Sequence, residues 1–539
     1  MDNKTQKIIG EGIYELTDSA KAECESSKYY NEDLAPSSKK ERTWNTKNYF
    51  NLWIGMVICV SCISISSTMV ALGMSPLMAL ISVILGNVIV CIPIQLNATI
   101  GTKYGVTFPV FTRLTFGKKG SHVPTLSRSI IACGWTSINC WIGGGAVAAL
   151  LGCFIPKMGD PNYTVAMPGN SATNVGQIVG FFIFIFLTFL VAYNGMEKIK
   201  IVQDIGGPVL IIAMIALFIY SIVLLHKTGH NMMDIFKVGN DTKLMGMHGG
   251  LMFVFGAGLT SNIAFWGTMA LNIPDLARTS KDQKSQRRGM LMGMPIPMAF
   301  CAFVGIVFAQ ATKYSTGVAS YDPTSVFYFI DNKLVVGIAA LAVIIGTLTT
   351  VVAANIVSPA NGFANIKPNK LTYKHGVIIT IIIAIVVFQP WWVYGTAAGF
   401  VFGFLNNYGT IIAPIAAILI ADYYYCKKGR IDIKGLYDES AKYTYTKGWN
   451  VAAYIAWIVA FILPLSGNTI LAYKAGSDAV PNAIQYIAAN GYIISFAIAF
   501  IVYVLLMNTG VGGSRETNGA LTEKEYGKIT EKANVVSEN

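Results

Sequence analysis

Apolar stretches nearly free of charge alternate with short polar segments from about residue 50 to residue 507. Their approximate limits are 51–73, 75–97, 127–152, 176–194, 201–225, 250–272, 289–311, 334–358, 375–389, 393–422, 449–466 and 490–507. A helix needs about 20 mostly apolar residues to cross the hydrocarbon core of a bilayer. The pattern therefore predicts an all-α membrane protein of 12 transmembrane helices. The ninth stretch is the shortest, and Gln389-Pro390-Trp391-Trp392 is the least sharply marked boundary.

Composition agrees. The chain has 539 residues, 53% of them hydrophobic and 13% charged, against roughly 25% charged in an ordinary soluble chain. Loops after the even-numbered spans hold about 20 lysines and arginines, and the others about 7. Both termini are thus expected on the cytoplasmic side of the cell's plasma membrane, and the net charge of +12 follows from this asymmetry and from contact with anionic lipid. The basic residues flank helix ends, which argues against a nucleic-acid partner. Residues 1–45 and 511–539 are polar and mixed in charge and read as disordered cytoplasmic tails. The nine cysteines show no metal or disulfide spacing, and Cys59 and Cys62 read as small packing residues.

Two spans carry polar clusters at bilayer depth. The sixth contains Gly256, Gly258, Thr260, Ser261 and Asn262, and is expected to be a discontinuous helix lining a site. A tight crossing through small residues is the competing reading. The serine-rich middle of the first span (Ser61, Ser64, Ser66, Ser67) is a weaker version of the same signal, and Ser61 is counted among the substrate contacts. Breaks at corresponding places in two halves would fit two five-helix repeats followed by two further helices. The boundaries are then 46–225 for repeat 1 (helices 1–5), 226–425 for repeat 2 (helices 6–10) and 426–510 for helices 11–12.

Isolated polar or aromatic groups mark the third, sixth and eighth spans. Trp135 and Asn139 are four apart and share a helix face. An indole can stack on a flat ring, and an amide offers both donor and acceptor to a C(=O)–NH edge. Trp266 could supply the opposite face and Asn355 a second amide. Trp141 reads as packing. Gly346, Thr349, Thr350 and Ala353 make a small-residue face suited to close helix approach, and the hydroxyls could join backbone carbonyls around a small cation. No Asp, Glu, Lys, Arg or His stands near the middle of spans 1, 3, 6 or 8. This favours a neutral planar substrate and, because proton relays need titratable groups, a sodium rather than a proton couple. Asp204 is the residue best placed to reverse that preference. An enzyme would need an acid, base, metal or nucleophile facing a pocket, and none is visible.

Several segments resemble the nucleobase–cation symporter-1 family. Gly101-Thr102-Lys103-Tyr104-Gly105-Val106-Thr107-Phe108-Pro109-Val110 looks like its signature loop, and Cys133 through Gly144 its third helix. Asn272-Ile273-Pro274-Asp275-Leu276-Ala277-Arg278 is similar to its motif after helix 6. Ala353 through Asn361, and Gly409 through Pro414 to Asp422-Tyr423, are similar to helices 8 and 10. The resemblance implies a leucine-transporter-type five-plus-five inverted repeat, alternating access and neutral ring substrates such as uracil, cytosine, purines, allantoin or hydantoins. It implies that Trp135 and Trp266 stack the substrate and that Asn355 binds it. Asn139 stands where the hydantoin-transporter branch has a glutamine one methylene longer. Gly346, Thr349 and Thr350, with backbone carbonyls near Val57 and Val60, fall at that branch's sodium site.

The remaining motifs have plainer readings. Lys103 and Arg113 read as positive-inside residues, Asp275 and Arg278 as a structural pair, and Trp53, Trp391, Trp392 and Trp449 as interfacial anchors. Gly409 and Pro414 suggest that helix 10 gates by bending. The expected protein is a monomeric cation symporter for a heterocycle. The competing function is an amino-acid permease of the same fold.

Overall fold

The computed structural model describes residues 5–10, 12–168, 170–194, 196–368, 370–440, 442–467 and 481–511, with backbone only for 170–171, 196–205 and 207. The C-terminal tail and the Asp204 side chain lie outside the described residues.

Among the described residues, nine helices are long and apolar enough to cross a membrane. A tenth span is a bent pair, α2 (Thr46–Val57) and α3 (Val60–Ala71), and two shorter apolar helices fall at the expected ninth and eleventh spans. The long helices begin with α4 (Pro76–Tyr104), which follows the pair. After a short α5 (Phe108–Phe116) come α6 (His122–Phe154), α7 (Val175–Tyr193) and α8 (Met196–Lys227). Next are α9 (Leu251–Ala277), α10 (Gln283–Gly293) running into α11 (Pro295–Thr316), and α12 (Lys333–Val351). A π-helical turn, Val352–Ile356, joins α12 to α13 (Val357–Ala364). The chain closes with α14 (Tyr373–Val386), α15 (Asn406–Ile420), α16 (Val451–Ser466) and α17 (Gly491–Asn508).

Local chemistry sets many of these limits. Ser75 caps α4 by accepting from the Met78 N–H, Pro76 opens it, and Gly105 ends it at φ 70°, a left-handed cap that glycine adopts without strain. Outward faces are apolar: Ile92 is 60% exposed, Ile212 68% and Ile338 62%. Such faces suit hydrocarbon as the solvent. Helices approach closely through small residues. A Cβ built on Gly180 of α7 would fall 2.0 Å from the Gly144 carbonyl oxygen of α6.

The N-terminal segment departs from the expectation of a disordered tail. A hairpin, β1 (Gln6–Gly10) and β2 (Ile13–Leu16), precedes α1 (Asp18–Glu25). Gln6 bonds the backbone of Ile431 and Ile433, and Arg42 donates to the carbonyls of Tyr14 and Thr102. These long-range bonds supply the order that the segment's polar composition alone does not.

Other loop readings are corrected in the same way. Arg113 is buried, donating to the carbonyls of Tyr29 and Leu436 and to Asn365 Oδ1. Lys103 lies over the rings of Tyr14 and Tyr104 and donates to the Gly429 carbonyl. Trp53 and Trp391 are interior rather than interfacial: Trp53 meets Trp266 edge-on and Trp391 packs on Trp141. Trp392 and Trp449 remain exposed. Trp141 does pack, between Phe181 and Trp391.

Candidate substrate site at a helix break

The break in the first span falls at Ile58 and Cys59, where the chain bends by 51°. Cys59 is extended (φ −144°, ψ 161°) and gives α3 no side-chain cap. The carbonyl end of α2 and the N–H end of α3 therefore meet inside the bundle, the partial charges suited to a cation and to a carbonyl oxygen respectively.

The expected break in the sixth span is absent: α9 runs without interruption from Leu251 to Ala277. Ser261 and Asn262 reach across to neighbouring helices. Ser261 donates to Asn406 Oδ1 at 2.7 Å, and Asn262 donates to Ser82 Oγ at 3.2 Å and to the Gly258 carbonyl at 2.8 Å. Gly256 and Gly258 admit Asn490 and the methionines 69 and 74. Ser261 and the Asn262 amide thus find partners without releasing the backbone, whereas the buried Thr260 hydroxyl has none among the described residues.

A cavity of about 40 Å³ lies at the break, with Trp135, Asn139, Trp266, Asn355 and Ser61 in its wall. By this measure it has room for about three waters. No charged side chain lines it. The Trp135 indole N–H donates to the Tyr408 hydroxyl at 3.2 Å, which donates to the Ala264 carbonyl at 2.7 Å. Trp266 is equally buried, and its N–H has no acceptor among the described residues. No ring contact joins the two indoles there; Phe265 contacts each, with centroids 4.8 Å from Trp135 and 5.4 Å from Trp266.

The two amides differ. Asn139 Nδ2 donates to the Trp135 carbonyl at 2.9 Å, while its Oδ1 accepts from Ser61 Oγ at 2.5 Å. Asn355 sits in the π-helical turn, a distortion common at functional sites. Its carbonyl accepts from Thr136, and no bond holds its side-chain amide among the described residues. Met56, Phe265, Thr268, Met269 and Ala354 also line the cavity and were missed by the sequence reading. Phe265, Thr268 and Met269 follow the i, i+3, i+4 spacing of one helix face, a signal usable only once that face is known.

The ion candidates are divided. Thr349 and Thr350 both donate to the Gly346 carbonyl, at 2.5 and 3.3 Å. Gly346 faces α8, where an added Cβ would meet Leu210, and Thr349 meets Gly206; Thr350 reaches the cavity. The Val57 carbonyl accepts from the Cys59 N–H at 2.9 Å, and that of Val60 from Ser64 Oγ at 3.0 Å. Donating hydroxyls keep lone pairs, so each of these neutral oxygens is of the kind a hard cation takes, but Gly346 and Thr349 face α8 and only Thr350 lines the cavity.

Toward one end of the site, buried Arg128, two turns from Trp135, donates twice to Asn272 Oδ1. Asp275 accepts from the Phe108 N–H at 2.7 Å and from Ser358, whereas Arg278 donates to the Ala35 carbonyl. Each anchors a loop separately, in place of the expected pair.

A small chamber without charged walls, at a helix break within a multi-span bundle, fits a membrane transport protein. The chain belongs to the family of permeases for cytosine/purines, uracil, thiamine and allantoin, whose model matches residues 36–506. It is 33% identical over 480 residues to the purine-uracil permease NCS1 of Arabidopsis thaliana, covering 89% of this chain and 78% of the relative. It is 28% identical to the allantoin permease of Bacillus subtilis, covering 90% and 94%. Among solved structures, the nucleobase-cation-symport-1 family transporter Mhp1, closed with bromovinylhydantoin bound, superposes with TM-score 0.71 at 18% identity, covering 93% of this chain and 99% of that one. The fold is thus the leucine-transporter-type inverted repeat. The chain is a permease, not an enzyme.

Proposed function

We propose that this permease imports a neutral, planar nitrogen heterocycle (uracil, cytosine, a purine, allantoin or a hydantoin) together with sodium across the plasma membrane, acting as a monomer with both termini cytoplasmic. One observation carries the reading: two indoles and two amides converge on a buried cavity without charged walls. Trp135 and Trp266 hold the ring faces, an interaction worth roughly 1–3 kcal/mol per base in nucleic-acid sites. Asn355, whose amide is uncommitted, reads the C(=O)–NH edge. Ser61 fixes the amide of Asn139, leaving one N–H of that group for the substrate.

The purine-uracil and allantoin relatives support the substrate class. Sodium is held by Thr349 and Thr350 with the carbonyls of Gly346, Val57 and Val60, so that filling the ion site tightens the break between α2 and α3 against α12. The segments 46–225 and 226–425 act as the two repeats. Bending of α15 at Gly409 and Pro414 moves the π-helical stretch Gly399–Leu405, whose Phe400 and Phe404 pack on Trp135, and so gates the chamber. An amino-acid permease is disfavoured because the chamber offers no countercharge for an ammonium and a carboxylate.

Uptake of labelled uracil, allantoin and leucine into vesicles, with sodium and proton gradients imposed separately, tests this reading. Saturable heterocycle uptake driven by sodium is expected. Leucine uptake would overturn the substrate assignment, and a response to protons alone would overturn the ion assignment.

A further inference from the structure

The loop after α9 and the folded N-terminal segment enclose a cleft of about 710 Å³ rimmed by Lys39, Lys281, Lys284 and Arg287, with Arg42 also in its wall. One carboxylate, Asp282, shares the cleft. It stands 3.8 Å from Lys281 and already accepts from the Ser285 N–H. No ion pair reaches the side chains of Lys39, Lys284 or Arg287 among the described residues. The positive-inside pattern assigns this face to the cytoplasm.

The cleft adjoins a groove of different chemistry. A second cavity, about 520 Å³, shares Gln283 and Arg287 with the first and runs between α4 and α10, ending at Pro295 of α11. Its wall includes Val88, Ile92 and Leu291, which are 51%, 60% and 42% exposed and belong to the apolar outer surface. Cations thus sit at the head-group level and apolar side chains at the acyl level, joined at Arg287.

We propose that the two cavities form one binding site for an anionic phospholipid. The phosphate lies among Lys281, Lys284 and Arg287, and an acyl chain runs along Val88, Ile92 and Leu291. A soluble anion would use the cleft and leave the groove empty. A zwitterionic lipid would bring no net charge to five cations facing one carboxylate. Basic pockets beside transmembrane helices on the cytoplasmic side recognise such head groups. The lipid would bridge the β1–β2 hairpin to the start of α10 and to α4, tying the N-terminal segment to the bundle.

Thermal unfolding of the full chain in uncharged detergent tests the site. Added phosphatidylglycerol is expected to raise the midpoint by about 3 °C, while phosphatidylcholine and inorganic phosphate leave it unchanged. The double variant Lys284→Gln/Arg287→Gln should lose the shift, and Val88→Trp, which fills the groove, should reduce it. Arg288→Gln, exposed and outside both cavities, should keep it. If the double variant does not fold, Lys39→Gln, on a separate segment, should show the weakened shift. An equal shift with inorganic phosphate would mean a free-anion pocket and would overturn the proposal. So would an equal shift with phosphatidylcholine, or a full shift retained by both the double variant and Lys39→Gln.

Discussion

The first and sixth spans wall the same chamber and both carry small polar side chains, yet one is broken and the other continuous. In α9, Ser261 and Asn262 bond to neighbouring helices, and the glycines serve as contact surfaces. Between α2 and α3 the chain turns at Ile58–Cys59 with no side-chain cap, and Ser61 turns to Asn139 in the chamber. A polar cluster at membrane depth therefore marks either a break or a crossing. Both spans bond across to other helices; what separates them is the backbone, extended at Cys59 in the first and helical throughout in the sixth.

Proline probes this difference most severely. Leu259→Pro, in the interior of α9, is expected to cost about 3 kcal/mol or more by removing a helix bond and clashing with the preceding turn. Val60→Pro, at the first position of α3, should be far milder because that N–H is an orphan already. Thermal unfolding and monodispersity in detergent distinguish them, and equal losses would mean that the two helices do not differ as described.

Next in size is Trp135→Ala, expected to lower kcat/KM for the heterocycle by about 100-fold, from lost stacking and release of Tyr408. Retained folding with normal uptake would remove Trp135 from the site. Thr350→Ala should raise the sodium concentration for half-maximal uptake by about 10-fold, as loss of one oxygen ligand predicts. An unchanged sodium curve would move the ion elsewhere. Smallest is a paired serine test. Ser61→Ala frees the Asn139 amide and should raise KM by about 5-fold, a hydrogen bond's worth. Ser261→Ala should lower stability by about 1 kcal/mol and leave KM unaltered. Reversal of those two outcomes would exchange the roles of the two helices.

Much of this was legible in the chain. Apolar runs of spanning length needed no tertiary information, because hydrocarbon leaves a backbone few alternatives to the helix. Trp135 and Asn139 were visible as neighbours because helical spacing puts them on one face. Trp266, Asn355 and Ser61 could be suspected from their depth, but their meeting on one cavity depended on the packing of α3, α6, α9 and the π-helical turn. The N-terminal segment was misread because its order comes from partners hundreds of residues away, such as Ile431 and Ile433. Arg113 was misread for the same reason.

The sequence by itself determined the solvent, the helical class, and the absence of charge from the middle of the spans around the chamber. These follow from side-chain transfer energies and local periodicity, which every residue carries with it. Only the tertiary structure decided which helix breaks, which tryptophans turn inward, and which amide is left free. Those outcomes depend on packing between helices, and the groups that meet there lie far apart in the chain.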